Sequence, residues 1–197
     1  MSNFEYLEKH EGETAVKFAL ICSLLVSLLF GTGVPVADAQ ADVAHHFGFK
    51  KSVGGQLPSI NEEGFKDIID KHGAIFFGDP ASKALFLTFD NGYENGYTAP
   101  ILDTLKAKKV PAIFFVTGHY IKDQPELLKR MVAEGHLIGN HSWSHPDMTT
   151  ISDAQIREEL EKVKSATAKV TGQAKMDFLR PPRGIFSDRT LRVTKEL

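Results

Sequence analysis

At 197 residues and 42% hydrophobic side chains, the chain is long enough to bury one sizeable core, and nothing in its composition marks a disordered or low-complexity protein. A formal net charge of −2, with no block of lysine or arginine, argues against a nucleic-acid partner. The single cysteine, Cys22, excludes an internal disulfide.

The first feature along the chain is apolar. Phe18 to Phe30 is a thirteen-residue run behind Lys17. It is short for a membrane span, which needs about 20 residues, and matches the core of a secretory signal. Ala37-Asp38-Ala39 places small residues where a signal peptidase reads them, so residues 1–39 are expected to be a signal peptide cleaved after Ala39. Glu5, Glu8, Glu11 and Glu13 make the leading stretch acidic, which is unusual for a signal and points to a true start at Val16. The expected location is therefore extracytoplasmic. Residues 40–60 read as a linker, punctuated by Gly48, Gly54, Gly55 and Pro58.

From there, helices and strands alternate. Asn61 to His72 reads as a short helix, and Ala84 to Phe89 as a buried strand from its continuous apolar character. Thr98 to Lys109 is a helix with Ile101, Leu102 and Leu105 inward. Val110 to Val116 is a strand, with Thr117-Gly118-His119 as its exit loop. Gln124 to Glu134 is a helix with Pro125 in its first turn. His136 to Asn140 is a third strand. Ser152 opens a long helix to about Val170, ended by Gly172. Phe178 to Arg180 is a short fourth strand, and Ser187 or Asp188 caps a last helix. Phe86, Phe89, Phe114 and Phe115 are expected in the core. His10, His45, His46 and His72 are expected in solvent, and His136 is expected to be a buried strand histidine with a backbone partner. The alternation predicts an α/β fold with a parallel sheet.

Three site-like runs follow strand C-termini, the rim where α/β barrels carry chemistry. The first is Thr88-Phe89-Asp90-Asn91-Gly92-Tyr93. The second, His141-Ser142-Trp143-Ser144-His145, spaces two imidazoles four apart, so one helical turn would face both toward a Zn²⁺-type cation. A solvated face would show the same spacing. The third is Leu179-Arg180-Pro181-Pro182-Arg183-Gly184. Taken alone, Asp90 also fits a turn or cap residue, and Arg180 an ordinary ion-pair partner. Tyr93 and Tyr97 fit a glycan groove and a core edge equally.

With these runs in order, the chain resembles the polysaccharide deacetylases, the NodB-homology carbohydrate esterases. The stretch Thr88 to Tyr97 is most similar to the peptidoglycan N-acetylmuramic acid deacetylases that prepare muramic δ-lactam in spore cortex. The resemblance implies a distorted (β/α) barrel over residues 61–197 and removal of N-acetyl groups from amino sugars by metal-assisted hydrolysis. It implies Asp90 as general base and Arg180 as its orienting partner. It implies His141, His145 and Asn91 as ligands of a divalent metal, Zn or similar. Tyr93, Trp143, Pro182, Arg183 and Gly184 would meet the substrate, with Trp143 either packing or stacking on sugar and a backbone N–H near Arg183 stabilising the oxyanion. The partner implied is a peptidoglycan glycan strand, acted on by a monomer.

Two departures follow from the same comparison. Most of the family has an aspartate where this chain has Asn91, so weak metal binding is expected. The chain also stops at Leu197, before the family's run that supplies a general-acid histidine, and neither His119 nor His136 fits that role. The expectation is an incomplete barrel lacking its C-terminal strand–helix units, poorly stable and with little activity. A glycan-binding pseudoenzyme, a nonfunctional product and a chitin-oligosaccharide deacetylase stay open as alternatives.

Overall fold

A computed structural model describes residues 42–48 and 50–197. The expected signal peptide, Cys22, His10 and the Val16 start lie outside the described residues. Among the described residues, no helix is long and apolar enough to cross a membrane.

The centre is a parallel three-stranded sheet in the order β2 (Thr88–Asn91), β3 (Ile113–Val116), β4 (Leu137–Asn140). The register aligns Asp90 with Phe115 and Asn91 with Val116. Phe115 in turn aligns with Gly139, and Val116 with Asn140. Aligned residues in parallel strands share a sheet face. Asp90, Phe115 and Gly139 therefore lie on one face, and Asn91, Val116 and Asn140 on the other.

Helices connect the strands: α2 (Thr98–Lys108), then the pair α3 (Gly118–Asp123) and α4 (Pro125–Ala133), then α5 (Asp153–Thr171). Leu102, Leu105, Phe114, Val116, Leu128, Met131, Ile138 and Val163 bury one continuous core between helices and sheet. The four-three-four spacing of Ile156, Leu160, Val163 and Thr167 gives α5 its buried stripe. Ser152 caps α5 in a reciprocal box with Gln155, and Gly172, at φ 79°, ends it. Ser187 caps the last helix, α6 (Asp188–Lys195), in the same way through Thr190.

Several elements differ from their sequence reading. The strand expected at Ala84 to Phe89 begins only at Thr88. A strand needs a neighbour to bond to, and β3 reaches back only as far as Leu87, whose carbonyl accepts from the Ile113 N–H at 3.0 Å. Leu85 and Phe86 are exposed, so Phe86 is not a core residue. The run Thr117 to His119 is not a plain exit loop, because Thr117 caps α3 through its hydroxyl. Asn61 to His72 splits at Gly64, at φ 73°, into a 3-10 turn (Asn61–Glu63) and α1 (Lys66–His72). Phe178 to Arg180 contributes one bridge, Leu179 beside Asn140.

The stretch read as a linker is structural. His45–His46 forms β1, antiparallel to β5 (Ile185–Phe186). The His45 ring lies 5.7 Å from those of Phe65 and Phe186. His72 is not solvated either. Its side chain is 8% exposed and bonds Asp188 at 2.8 Å, tying α1 to α6. His136 behaves as read: it is buried, and its Nδ1 accepts from the Ala112 N–H at 3.2 Å.

Candidate active site

Asp90 sits near the C-terminal end of β2, and Arg180 reaches it from a residue ninety positions later. The guanidinium is a fork. Its Nη1 donates to Asp90 Oδ1 at 2.7 Å and its Nη2 to Thr88 Oγ1 at 2.8 Å. The fork stacks on the Phe115 ring, with Cζ 4.4 Å from the centroid. Gly139 makes room for that ring, since a Cβ there would stand 2.6 Å from Phe115 side-chain atoms. A glycine, an aromatic floor and a cation forked between Asp90 and Thr88 thus fix the carboxylate.

The Arg180 backbone does a second job. Its N–H donates to the Asn140 carbonyl at 3.0 Å. Its carbonyl lies 2.8 Å from His141 Nδ1. A carbonyl only accepts, so Nδ1 carries the proton and a neutral His141 keeps its lone pair at Nε2. The His141 and His145 ring centroids are 4.9 Å apart.

The two imidazoles do not converge through a helical turn. The run is a tight loop with Ser142 at φ 62° and His145 at φ 59°. These left-handed residues, costly outside glycine, are held by side-chain bonds. Asn140 Oδ1 accepts from the Ser142 N–H at 2.9 Å, and Ser142 Oγ from the His145 N–H at 3.1 Å. Glu159 of α5 clamps Ser144 through its N–H and its hydroxyl. Burial holds His145 below the usual imidazole range, helped by the charges of His141 and Arg183 and opposed by Asp90. A neutral imidazole is the ligand form.

Asn91 is buried. Its Nδ2 donates to Thr98 Oγ1 at 3.3 Å, and its Oδ1 is buried with no partner among the described residues. An orphaned carbonyl oxygen is costly unless something fills it, and it has the hardness a divalent cation accepts. Among the described residues no three histidine, cysteine, aspartate or glutamate side chains converge as a metal site. Of the expected ligands His141, His145 and Asn91, the two imidazoles are the pair seen side by side, and the Asn91 oxygen is the one left without a partner among the described residues.

The remaining expected residues divide. Tyr93 is exposed, its ring 4.5 Å from that of His119. Tyr97 is also exposed. Trp143 packs into the start of α3, where a Cβ on Gly118 would stand 2.3 Å from the indole and the Lys122 ammonium is 4.7 Å from the ring centroid. The indole is half-buried, so part of it is packed and part is exposed. Pro182 is buried and supports the turn. Gly184, at φ 66°, lets the Phe47 carbonyl approach, since a Cβ would meet it at 2.6 Å. Of the third run, only Arg180 and the exposed Arg183 offer charged side chains.

Sequence reasoning missed Thr88, Phe115, Glu159 and the group around Tyr120. Tyr120 is fully buried, with its hydroxyl 3.0 Å from Glu94 Oε2 and 3.1 Å from Thr98 Oγ1. Burial and the Glu94 charge push that phenol up to about 12. Burial also opposes the Glu94 charge, but hydrogen bonds from Thr98, Tyr120 and Gly96 outweigh it and hold the carboxyl below its usual range. The only signal for this group is the spacing of Glu94 and Thr98 at the start of α2.

A model of the polysaccharide deacetylase family matches residues 77–197. The chain belongs to this family. The peptidoglycan-N-acetylmuramic acid deacetylase PdaA of Bacillus subtilis (strain 168) is 46% identical to this deacetylase-family chain over 178 residues, covering 90% of this chain and 67% of that protein. Among solved structures, a family 4 carbohydrate esterase from Bacillus anthracis superposes with a TM-score of 0.70 at 53% identity, over 78% of this chain and 69% of that one. The structure of Bacillus subtilis PdaA, also a family 4 carbohydrate esterase, gives 0.73 at 50% identity, over 78% and 65%. The chain spans about two thirds of the length of these relatives. The fold is the mixed α/β, partial-barrel arrangement of the family 4 esterases, built on a parallel sheet.

Proposed function

We propose that this chain carries the base and the metal-holding half of a peptidoglycan N-deacetylase acting on N-acetylmuramic acid, in the wall or spore cortex. The observation that supports it most is the double use of Arg180: its side chain grips Asp90 while its carbonyl orients His141. One residue thereby holds the base and a ligand in fixed relation. The similarity to PdaA supports the substrate class.

In this reading Asp90 accepts a proton from the attacking water at the carboxylate oxygen not held by Arg180. Positioned general bases contribute about 10²–10⁴ in rate. Arg180 keeps the carboxylate oriented as the proton arrives. His141, through Nε2, His145 and the Asn91 Oδ1 hold a divalent ion. Bound there, such an ion supplies Lewis acidity toward the acetamide carbonyl. Tyr93, Tyr97 and Arg183, all exposed, would be the side chains that meet the glycan strand.

Acetate release from denuded peptidoglycan strands, with Zn²⁺ or Mn²⁺ added, tests the assignment. Release that disappears in Asp90→Asn supports it; release unaffected by that change, or no glycan and no metal binding at all, refutes it. Glycan binding without acetate release would favour the second reading, a binding pseudoenzyme, for which the uncharged Asn91 is the argument.

A further inference from the structure

We propose that Glu94, acting through Tyr120 and Thr98, is a positioning residue that decides which end of the Asn91 amide faces the metal-holding side of the site. This rests on the reading of Asn91 as a ligand. An asparagine side chain is nearly symmetric in shape, with an acceptor at one end and two donors at the other. Only the oxygen end can ligate a cation. Something must therefore set the flip.

The hydrogen count along the buried chain sets it. Glu94 Oε1 accepts from the Thr98 N–H at 3.2 Å, and Oε2 faces the Tyr120 hydroxyl at 3.0 Å. An ionised carboxylate only accepts, so the phenol hydrogen goes to Glu94. Tyr120 Oη also lies 3.1 Å from Thr98 Oγ1. With its one hydrogen committed, the phenol oxygen can only accept there, and Thr98 spends its own hydrogen on Tyr120 or on the Glu94 carboxylate, both of which it faces. Thr98 Oγ1 is left with lone pairs toward Asn91, at 3.3 Å from Nδ2. The amide must turn its NH₂ to Thr98, which leaves Oδ1 without a partner among the described residues. The opposite flip would set two lone-pair oxygens face to face. Tyr120 is fully buried and Thr98 nearly so, so water does not easily substitute for either partner.

Glu94→Gln is the discriminating change because it keeps the shape. The Thr98 N–H still requires an oxygen at one position, so the new NH₂ is presented to Tyr120. The phenol must then accept from it and donate to Thr98. Thr98, now accepting from the phenol, is free to turn its hydrogen to Asn91, and the amide is no longer held with its oxygen toward the site. Zn²⁺ affinity, measured calorimetrically on the whole chain, is expected to fall about 10–100-fold, the range for groups that orient metal ligands.

Loss of a nearby negative charge would also weaken cation binding, so the same change is made in an Asn91→Asp background, where a carboxylate has no flip to lose. A loss in the Asn91 background at least about tenfold larger than in the Asn91→Asp background supports the relay, by the logic of a double-mutant cycle. Equal losses overturn it. Thr98→Ser, which keeps the hydroxyl, is expected to bind Zn²⁺ within about threefold of the parent, while Thr98→Val follows Glu94→Gln; equal weakening in both Thr98 variants would show packing alone and refute the relay. If Asn91→Ala leaves Zn²⁺ affinity unchanged, the ligand assignment itself fails, whereas a weakened Asn91→Ala beside an unaffected Glu94→Gln sinks only the relay.

Discussion

The carbonyl of Arg180 accepts a hydrogen bond from His141 Nδ1 at 2.8 Å, while the guanidinium of the same residue holds Asp90 at 2.7 Å. A shift in the backbone at Arg180 therefore moves the candidate base and a candidate ligand together. The side chain and the backbone can be tested separately.

Arg180→Lys keeps the charge but loses the planar fork that spans Asp90 and Thr88 and the stacking on Phe115. His141 should stay oriented, because its partner is main chain. The expected result is acetate release reduced about 10²-fold, the low end of general-base contributions, with Zn²⁺ affinity little changed. Parallel kinetic and calorimetric measurements check this; a matching collapse of metal affinity would contradict it.

Gly139→Ala puts a methyl group into the Phe115 ring, whose atoms would stand 2.6 Å away with the Phe178 carbonyl at 3.2 Å on another side. Overpacking of this kind costs about 1–3 kcal/mol. Phe115 is also the floor beneath Arg180, so activity should fall along with the thermal midpoint. Gly139→Ala combined with Phe115→Leu should recover part of both, as read by calorimetry and acetate release.

Asn91→Asp replaces the amide of the proposed ligand set with a carboxylate, beside the two imidazoles. Divalent-metal affinity should rise by at least about tenfold, or ~1.4 kcal/mol. Isothermal titration with Zn²⁺ reads it directly, and unchanged affinity would remove Asn91 from the ligand set.

His136 gives a pH dependence outside the site. Burial lowers its folded pKa, with Glu134 opposing that shift and Arg130 adding to it. Its Nδ1 accepts from the Ala112 N–H, which the neutral form can do and the doubly protonated ring cannot. The unfolded chain therefore binds the proton at higher pH than the folded one. The stability this histidine contributes is present above its ordinary pKa near 6.5 and declines as pH falls below it. His136→Gln keeps an acceptor for the Ala112 N–H, and its unfolding midpoint should change less between pH 7 and about 5. Denaturant melts of both proteins decide; parallel curves would reject it.

Some of this was legible in the residues themselves. Ser152 and Gln155 announce the start of α5, Gly172 its end, and the spacing of Ile156, Leu160 and Val163 its buried face. Asp90, Asn91, His141, His145 and Arg180 stand out because their chemistry is written in neighbouring residues. The strand at Ala84 was overextended for want of information on its partner, since an apolar run does not say where pairing stops. How far the Trp143 and Pro182 rings are covered is not legible locally, because the residues that pack on them come from elsewhere in the chain.

What the order of amino acids determined alone is the inventory: the longer helices with their caps, and which acceptors, imidazoles and cations the site can draw on. These depend on contacts within a few residues, where capping and periodicity operate. Only the tertiary structure decided how the inventory converges. The imidazoles meet through left-handed residues at Ser142 and His145, not a helical turn. Phe115 slides under Arg180 because Gly139 is vacant of a side chain, and Glu94 reaches Asn91 through a buried tyrosine. Such relations join residues far apart in the chain, and strand order and register, not local propensity, bring them into contact.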